Sequence, residues 1–304
     1  MEFTIQVSVI IPTLNAASYL NGLLTRLLDQ SVVLNEIIVV DSMSNDNTIE
    51  VAQRLGATVL SIDRSSFDHG ATRNFAASHA KGDILVYITQ DALPSGYHFI
   101  EELIAPFEDS QVVAAYGRQV ARPEADPIER MTREFNYSMK PIRKSMADVN
   151  RYGIKTFFFT NVCSAMRKDF FDKVGGFPEP IISNEDMIFA AKCILQGYSI
   201  VYTPKASVVH SHHFTLMQQF RRHFDIGVSL RMNEWLFQYA KPEGEGVRLI
   251  KTQLKHLMTA RLWMWIPRWA AETVVKYSGY RLGLSYKRIP RKMLKKCSMQ
   301  RSFW

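Results

Sequence analysis

Ionisable side chains are concentrated at the entrance of one predicted helix. The stretch SSFDHGATRNFAASHAKGD, residues 65–83, places Asp68, His69 and Arg73 ahead of positions that are mostly small and apolar. A planar guanidinium such as that of Arg73 is suited to hold a phosphate or the carbonyl of a base. The alternative interpretation is an arginine on the solvated face of a helix.

Asp91 and a group of histidines have the chemistry of metal ligands. Asp91 follows the apolar run Ile84–Ile88, and the hard cations Mg²⁺ and Mn²⁺ take carboxylate ligands. The stretch VVHSHHFT, residues 208–215, adds three imidazoles, those of His210, His212 and His213. Their spacing does not fit a zinc site built from protein ligands alone. A turn aspartate and an edge strand with solvated imidazoles are the alternatives.

Two adjacent acids open a further predicted helix. In SNEDMIFAAKCILQG the apolar residues repeat with helical spacing, so Glu185 and Asp186 fall in the first turn. Acids at this position favour the helix dipole, and Ser183 to Asp186 has the spacing of a capping box. The residue types alone therefore leave the role of this acidic pair open.

Alternating strand and helix patterns must position these groups. Continuous apolar runs predict four strands, at residues 7–11, 37–40, 58–62 and 84–88. Helical spacing predicts three helices between them, at residues 20–28, 48–55 and 71–80. This alternation favours an α/β fold with a mostly parallel sheet, in which ligands bind beyond the carboxyl ends of the strands.

Polar residues gather at these predicted strand ends. The residues at or after these strand ends that we assign to ligand binding are Pro12, Thr13, Asn15, Asp41, Ser42, Asp68, His69, Arg73, Gln90 and Asp91. Neither the dinucleotide fingerprint GxGxxG nor a P-loop occurs, so a nucleotide would have to be held in another way. Asp41 also has a local interpretation, because aspartates in turns bond to their own backbone.

Charge divides the chain into two regions. The whole chain of 304 residues carries a net charge of +8, but fourteen Lys and Arg face one acid from Arg248 onward. The three cysteines are widely spaced without a CxxC pair, which suits a reducing compartment. The first fifteen residues lack a basic region and a long apolar run, so we expect neither a signal peptide nor a membrane span there.

Five motifs in order resemble the family 2 glycosyltransferases, whose catalytic domain has the GT-A fold. They are SVIIPTLN, IIVVDSMSNDNT, ATRNFAASHAKGDILVYITQDALP, GGFPE and NEDM, and the similarity covers roughly residues 5–235. The FDHGATRN form of the third motif, together with TQDA, looks like the bacterial rhamnosyltransferases of that family. Those enzymes use dTDP-L-rhamnose to build surface polysaccharides. A different nucleotide sugar, with UDP or GDP, and a non-catalytic nucleotide-sugar-binding protein are the alternatives.

The resemblance implies a donor site and a metal. By its position, Asp41 would accept from the imide N–H of a pyrimidine base. Asp91 corresponds to the last aspartate of the family's Asp-x-Asp motif, whereas Thr89 replaces the first. The implied ion is Mg²⁺ or Mn²⁺, and His210 is expected to complete its shell, with His212 as the second choice. The family pattern also places Asp68, His69 and Arg73 near the donor sugar or its diphosphate.

The resemblance further implies an inverting single displacement. In the family a Gly-Gly-Phe turn leads to a Glu-Asp pair whose aspartate is the base, which here is Asp186. Glu185 is then a supporting carboxylate near the acceptor. The implied acceptor is a saccharide linked to a lipid.

The basic C-terminal region mixes tryptophans and tyrosines with its lysines and arginines. We expect a catalytic domain at residues 1–240 and a helical extension at 241–304, with KPEGEG, residues 241–246, as the linker. No stretch is long and apolar enough to span a membrane, so an interfacial amphipathic helix is favoured. The tryptophans expected to insert are Trp263, Trp265 and Trp269. Helices packed on the catalytic domain are the alternative.

These features predict a location and exclude one class of partner. An anionic membrane surface would attract the basic extension, so we expect the protein on the inner face of the bacterial cytoplasmic membrane. No signature of nucleic-acid binding accompanies the basic residues, so no nucleic-acid partner is expected.

Overall fold

The computed structural model describes residues 5–240 and 243–304; the first four residues, Lys241, Pro242 and the side chain of Glu243 lie outside the described part. The strands of the described chain are β1 (Val7–Thr13), β2 (Glu36–Asp41), β3 (Thr58–Ser61), β4 (Ile84–Ile88), β5 (Leu93–Pro94), β6 (Val112–Val120), β7 (Ile142–Lys144), β8 (Cys163–Arg167) and β9 (Ser199–Val209). Its α-helices are α1 (Ala17–Leu28), α2 (Thr48–Arg54), α3 (His69–His79), α4 (Phe99–Ile104), α5 (Pro127–Asn136), α6 (Val149–Tyr152), α7 (Lys168–Lys173), α8 (Glu185–Leu195), α9 (Leu216–Met232), α10 (Glu243–Thr259), α11 (Ile266–Leu284) and α12 (Arg291–Cys297).

The described strands form one sheet that is parallel in its first half and mixed in its second. Their order is β3-β2-β1-β4-β8-β6-β9-β5, and β7 pairs with β9. β1 runs parallel to β2 and β4, and β2 runs parallel to β3. β8 is antiparallel to β4 and β6, whereas β6 and β9 are parallel. The predicted α/β class with a mostly parallel sheet and C-terminal helices is confirmed.

The register of the parallel strands gathers the predicted site residues at one edge. Thr13 at the end of β1 pairs with Asp41 at the end of β2, and Asp41 pairs with Ser61 at the end of β3. Because these strands end together, the loops that follow them lie side by side.

Helix α1 shows how the apolar pattern becomes the core. Leu20, Leu23, Leu24 and Leu27 are buried against the sheet, and each contributes roughly 1.5–3 kcal/mol relative to an exposed side chain. The helical spacing of the leucines also predicts Leu28 on this face, but Leu28 is 58% exposed, because it lies at the margin of the stripe in the last position of the helix.

Helix α3 and the GGFPE loop are held together by hydrogen bonds and a close backbone contact. These contacts give residues of two separate motifs a common structural role. The Nδ2 of Asn74 donates to the carbonyl of Phe177 at 2.9 Å, and its Oδ1 accepts from the Phe177 N–H at 2.9 Å. A Cβ on Gly70 would lie 2.1 Å from the carbonyl oxygen of Pro178, so only glycine fits there. Since this loop leads to α8, the entrance of α3 positions the start of α8.

The C-terminal helices pack closely on the rest of the protein. A Cβ on Gly279 of α11 would lie 2.3 Å from the Phe220 carbonyl oxygen of α9, and one on Gly283 would lie 2.1 Å from that of Phe224. Gly227 gives α9 the same close approach from its own side. The two helices therefore cross with their backbones in contact, and α11 is a packed layer of the fold.

The tryptophans of the extension have different environments. Trp269 is buried with Ile128 and Met131 of α5, and its indole N–H donates to Gln253 at 3.1 Å. It is therefore a core residue and not the membrane contact expected for it. Trp263 is 60% exposed and stands where α10 gives way to α11.

The predicted linker is mostly helical. Helix α10 begins at Glu243, so it already includes Gly244 and Gly246 of the KPEGEG stretch, whose first two residues lie outside the described part. No helix of the described residues combines the length and the apolar character needed to cross a bilayer.

Candidate functional site

The ends of β4 and β9 bring one carboxylate and two imidazoles together. Asp91 Oδ1 lies 3.4 Å from Nε2 of His210, and Asp91 Oδ2 lies 3.6 Å from Nδ1 of His212. One ligand atom of each residue lies within 4.8 Å of the others, so a single cation could contact all three. Both histidines that the sequence offers as ligands, His210 and its alternative His212, thus lie beside Asp91, whereas His213 is exposed.

Hydrogen bonds around Gln119 fix the tautomer of His210. Arg133 can only donate, so its bond to Gln119 identifies the carboxamide oxygen of that residue. The same oxygen lies 3.0 Å from Nδ1 of His210 and accepts from an Nδ1–H. Nε2 then carries a lone pair that faces the Asp91 carboxylate at 3.4 Å. Two facing acceptors repel each other, and a cation between them would convert this repulsion into ligation.

The charge states of these residues at neutral pH are those that metal ligation needs. Burial alone would raise the pKa of Asp91, but the neighbouring imidazoles, when they carry a proton toward its carboxylate, lower that pKa to about 2. Burial lowers the pKa of His210, and burial with the neighbouring His210 lowers the pKa of His212 to about 4. At neutral pH the carboxylate is charged and the imidazoles are neutral, as metal ligation requires. These residues therefore fit a divalent cation.

Two buried hydroxyls at strand ends have no hydrogen-bond partner among the described residues. They are Ser42 Oγ, directly after β2, and Thr89 Oγ1, directly after β4. Leaving a buried hydroxyl unsatisfied costs about 1–3 kcal/mol. A polar ligand above these strand ends would supply the missing partners, which supports the assignment of this edge to ligand binding.

Asp41 lies beneath this edge. Its side chain is fully buried, and one oxygen accepts from the hydroxyls of Thr13 at 3.0 Å and Ser44 at 2.5 Å. The other oxygen accepts from the Ser44 N–H at 2.8 Å. As placed, Asp41 holds the turn after β2, and a base would reach its carboxylate only if that turn moved.

The other predicted residues of β1 and β4 form the rim itself. Gln90 joins the two strands, because its Oε1 accepts from the Leu14 N–H at 2.8 Å and its Nε2 donates to the Leu14 carbonyl at 3.2 Å. Asn15 is exposed and accepts from the Asn45 N–H at 2.9 Å. Pro12 is half-buried within β1.

Asp68, expected near the donor sugar, is occupied by the backbone. One oxygen caps α3 by accepting from the N–H groups of Gly70 and Ala71 at 2.8 and 2.9 Å. The other accepts from the Ile181 N–H at 2.7 Å. Both carboxylate oxygens of Asp68 are therefore occupied by backbone N–H groups. Through these bonds Asp68 ties the start of α3 to the loop before α8.

Arg73, expected to hold a phosphate, also faces inward. It is only 6% exposed, and its Nη1 lies 3.3 Å from Oε1 of Glu185. The same Nη1 donates to the carbonyl of His69 at 2.8 Å. The guanidinium is therefore the counter-ion of a buried carboxylate.

The capping box that the spacing of Ser183 and Asp186 allows does not form, although both acids lie in the first turn of α8 as predicted. Asn184 is the N-cap of α8 in a left-handed conformation, and its side chain makes no capping hydrogen bond. Asp186 instead accepts from the N–H groups of Asn161 at 3.2 Å and Met187 at 2.7 Å. The Nδ2 of Asn161 also donates to Glu185 at 3.1 Å, so one asparagine holds both acids.

The two adjacent acids titrate differently. Burial and the charge of Glu185 raise the pKa of Asp186 to about 7. Burial would also raise the pKa of Glu185, but Arg73 and His69 lower it overall. One acid is thus held ionised while its neighbour is poised to accept a proton near neutral pH, which is the property of a general base.

Four residues of the site were not found from the sequence. Gln119 and Asn161 orient the predicted ligands and acids, and Arg133 fixes Gln119. Arg222 is exposed, lies over the Phe214 ring at 5.6 Å and has no carboxylate within ion-pair distance among the described residues. The pair of arginines in the FRRHF segment was the available signal for Arg222, whereas nothing local distinguishes the other three.

Comparison with known proteins assigns the chain to a family. The model of glycosyl transferase family 2 matches residues 8–175. The chain is 37% identical over 302 residues to the O-antigen chain rhamnosyltransferase RfbN of Salmonella typhimurium, covering 98% of this chain and 96% of the relative. It is also 37% identical over 300 residues to the O-antigen chain rhamnosyltransferase WbaN of Salmonella anatum, covering 98% and 95%.

Solved structures with similar folds are more distant in sequence. The mannosyltransferase PcManGT from Pyrobaculum calidifontis, in complex with GDP-Man and Mn²⁺, superimposes with a TM-score of 0.65 at 18% identity, covering 94% of this chain and 89% of its own. S. aureus TarS 1–349 in complex with UDP-GlcNAc superimposes with a TM-score of 0.60 at 16% identity, covering 97% and 84%. At these identities the likeness concerns the fold.

Proposed function

This chain belongs to glycosyl transferase family 2, a family of inverting enzymes, and we propose that it transfers L-rhamnose from dTDP-L-rhamnose to a lipid-linked saccharide. The product would be part of a bacterial surface polysaccharide. The observation that carries the proposal is the nearly full-length similarity to two O-antigen chain rhamnosyltransferases. A UDP- or GDP-sugar donor is the alternative, because similar folds hold UDP-GlcNAc and GDP-Man.

We assign Asp186 as the general base of a single displacement. It takes the proton of an acceptor hydroxyl as that oxygen attacks the anomeric carbon of the donor. The bond from this carbon to the diphosphate oxygen breaks, and the nucleoside diphosphate leaves with the electron pair. General base assistance of this kind is worth ~10²- to 10⁴-fold. The raised pKa of Asp186 supports the assignment.

Glu185 and Arg73 position this base. Their buried ion pair keeps Glu185 ionised, and the charge of Glu185 in turn raises the pKa of Asp186. The backbone N–H groups of Asn161 and Met187 aim the Asp186 carboxylate. Arg73 therefore acts through Glu185, and not on the phosphates directly.

A divalent cation, Mg²⁺ or Mn²⁺, would be held by Asp91, His210 and His212 and would neutralise charge on the departing diphosphate. Gln119 keeps the Nε2 of His210 unprotonated for this role. Arg222 adds a positive charge that also contributes to the lowered pKa of both histidines, behind burial and the groups nearer to them.

The donor nucleotide would lie above the ends of β1, β2 and β4. Ser42 and Thr89 have unsatisfied hydroxyls there, and Asn15 is exposed at the same edge. Pro12, Thr13, Asp41 and Gln90 would shape the floor and rim of this site. We place His69 beside the saccharide and Asp68 behind it.

We propose that residues 241–304 face the inner surface of the bacterial cytoplasmic membrane while residues 1–240 carry the reaction. The exposed apolar groups Trp263 and Met264 stand between α10 and α11, in a region rich in lysine and arginine. Each basic residue near an anionic surface contributes about 1 kcal/mol. The protein would then meet a lipid-linked acceptor without spanning the bilayer.

Nucleotide release from a panel of donors tests the proposal. The purified protein is incubated with dTDP-L-rhamnose, UDP-sugars or GDP-sugars and with bacterial membranes that contain lipid-linked saccharides. We expect release from dTDP-L-rhamnose to exceed release from the other donors by at least tenfold. Preference for a UDP- or GDP-sugar would overturn the donor assignment, and nucleotide binding without release would contradict the mechanism.

A further inference from the structure

A cavity of about 280 Å³ lies beside the proposed active site and is closed by the C-terminal end of the chain. The loop between β3 and α3 forms one wall, and the loop before α8 forms another. The third wall is the segment after α12, through Gln300, Ser302 and Phe303. The volume of the cavity is below the range typical of pockets for drug-sized ligands. One sugar ring is therefore an appropriate occupant, and a nucleotide is not.

Hydrogen bonds hold the closing segment in place. Asp225 on α9 is buried, and its Oδ2 accepts from the N–H groups of Met299 at 2.8 Å and Gln300 at 3.2 Å. The side chain of Gln300 then reaches Nε2 of His69 at 2.7 Å. A residue near the end of the chain is therefore bonded to the start of α3, which a loosely attached tail would not be.

The cavity is connected to the acids and not to the donor edge. The His69 carbonyl accepts from Arg73, which pairs with Glu185 at 3.3 Å. Ile181, which also lines the cavity, stands four residues before Glu185. Among the described residues, those lining this cavity do not include Thr13, Asp41 or Asp91. The cavity thus adjoins the two segments that lead to the acidic pair, and none of the described residues that line it lies at the ends of β1, β2 or β4.

The lining has the chemistry of a neutral saccharide site. Phe67 and Phe303 offer aromatic faces against which the C–H groups of a sugar ring can pack, and Ser66, Gln300 and His69 offer hydrogen bonds. The one carboxylate of the lining, that of Asp68, is already bonded to the backbone. No lysine or arginine lines the cavity among the described residues, so a phosphate would have no counter-ion there.

We propose that this cavity binds one pyranose residue of the acceptor and that Gln300 helps to select it. Through its bond to His69, Gln300 fixes an imidazole that lines the cavity, and Phe303 adds an aromatic side chain to the same lining. The C-terminal segment thus takes part in substrate recognition in addition to any role at a membrane. This inference rests on the proposed function only in that the acceptor is a saccharide.

Binding of simple glycosides tests the cavity without turnover. The probes are p-nitrophenyl α- and β-glycosides of galactose, glucose, mannose and rhamnose, measured by saturation-transfer NMR and titration with thymidine diphosphate and Mg²⁺ present. We expect at least one glycoside to bind. Gln300→Ala should weaken that binding at least tenfold, and Ser66→Trp, which fills the cavity from an exposed position, should abolish it.

Met299→Ala is the matched control, because this neighbouring side chain is 42% exposed and does not line the cavity. It should bind the glycoside within twofold of the unmodified protein, and all three variants should bind thymidine diphosphate normally. Glycosides that bind equally to every variant, or none that binds at all, would overturn the inference. If dTDP-L-rhamnose is not the donor, the unmodified protein will fail to bind thymidine diphosphate, and the glycoside titration is then repeated without nucleotide, so the two failures are distinguishable.

Discussion

Replacing Asp186 with asparagine should reduce turnover and change how the stability of the protein depends on pH. The amide keeps the size of the carboxyl group but cannot accept a proton, so we expect turnover to fall by at least ~10²-fold. Binding of thymidine diphosphate should stay within a few-fold, because Asp186 is bonded to Asn161 and Met187 and not to the strand ends.

The stability effect follows from the raised pKa. Folding moves the pKa of Asp186 from an ordinary value of 3.8 to about 7, so the ionised form is disfavoured in the folded protein. The resulting cost is absent below pH 4, grows between the two pKa values and is complete above pH 7. At about 1.36 kcal/mol per pKa unit its ceiling is roughly 4 kcal/mol. Asparagine also replaces one of the two acceptor oxygens with an NH2 group that faces an N–H, but this cost does not depend on pH. Relative to the unmodified protein, the variant should therefore gain stability between pH 4 and pH 8.

Urea unfolding at several pH values and donor turnover at saturating acceptor measure the two effects. Asp29→Asn is the control, since Asp29 is exposed at the end of α1 and should change neither quantity. In the unmodified protein, kcat/KM should rise with pH through the pKa of Asp186 near 7. Near-normal turnover of the Asp186 variant would refute its role as base. A stability difference between the variant and the unmodified protein that is the same at pH 4 and pH 8 would refute the electrostatic account.

Three other perturbations address the metal, the buried ion pair and the extension. Thymidine diphosphate should bind more tightly with Mg²⁺ or Mn²⁺, and Asp91→Ala should abolish this dependence on the metal in a titration. Metal-independent binding and catalysis by the unmodified protein would contradict the assignment of Asp91 as a metal ligand. Glu185→Ala should lower the free energy of unfolding by about 3–5 kcal/mol, because it leaves Arg73 buried without its counter-ion, and a loss below 1 kcal/mol in urea unfolding would count against that pairing. Trp263→Ala should remove the salt-resistant part of binding to anionic vesicles, whereas Trp269→Ala should mainly destabilise the fold; equal vesicle binding by the Trp263 variant and the unmodified protein would reject the membrane contact.

The first half of the sheet could be predicted from the sequence because its information is local. The strands β1 to β4 are continuous apolar runs, and the helices between them carry their own periodicity. β8 was not predicted, because its five residues give no distinctive pattern and its antiparallel position depends on β4 and β6, which are distant in the chain. The exposure of Leu28 was not predictable from helical periodicity, because the burial of a residue at the margin of an apolar stripe depends on what packs against it.

The candidate site was predictable in residue type and less so in contacts. Asp91 lies beside both His210, the first choice of ligand, and His212, the second, and the capping box that the spacing of Ser183 and Asp186 allowed does not form. Arg73 was expected to face a phosphate and instead pairs with Glu185, which lies more than one hundred residues away. A sequence shows that an arginine needs a partner, but the choice between a ligand and a buried acid is made by the tertiary fold.

The same reasoning changes the view of the basic extension. A surface anchor can be removed without harm to the domain that carries it, but here the extension supplies the partner for one face of α9. Gly227, Gly279 and Gly283 bring α9 and α11 into backbone contact, and Asp225 of α9 holds the chain after α12. The exposed residues of this region include lysines, arginines and Trp263, which would be free to meet the membrane that we propose. The two interpretations that the sequence left open are therefore compatible, because a single helical layer can stabilise the active site on one side and meet lipid on the other.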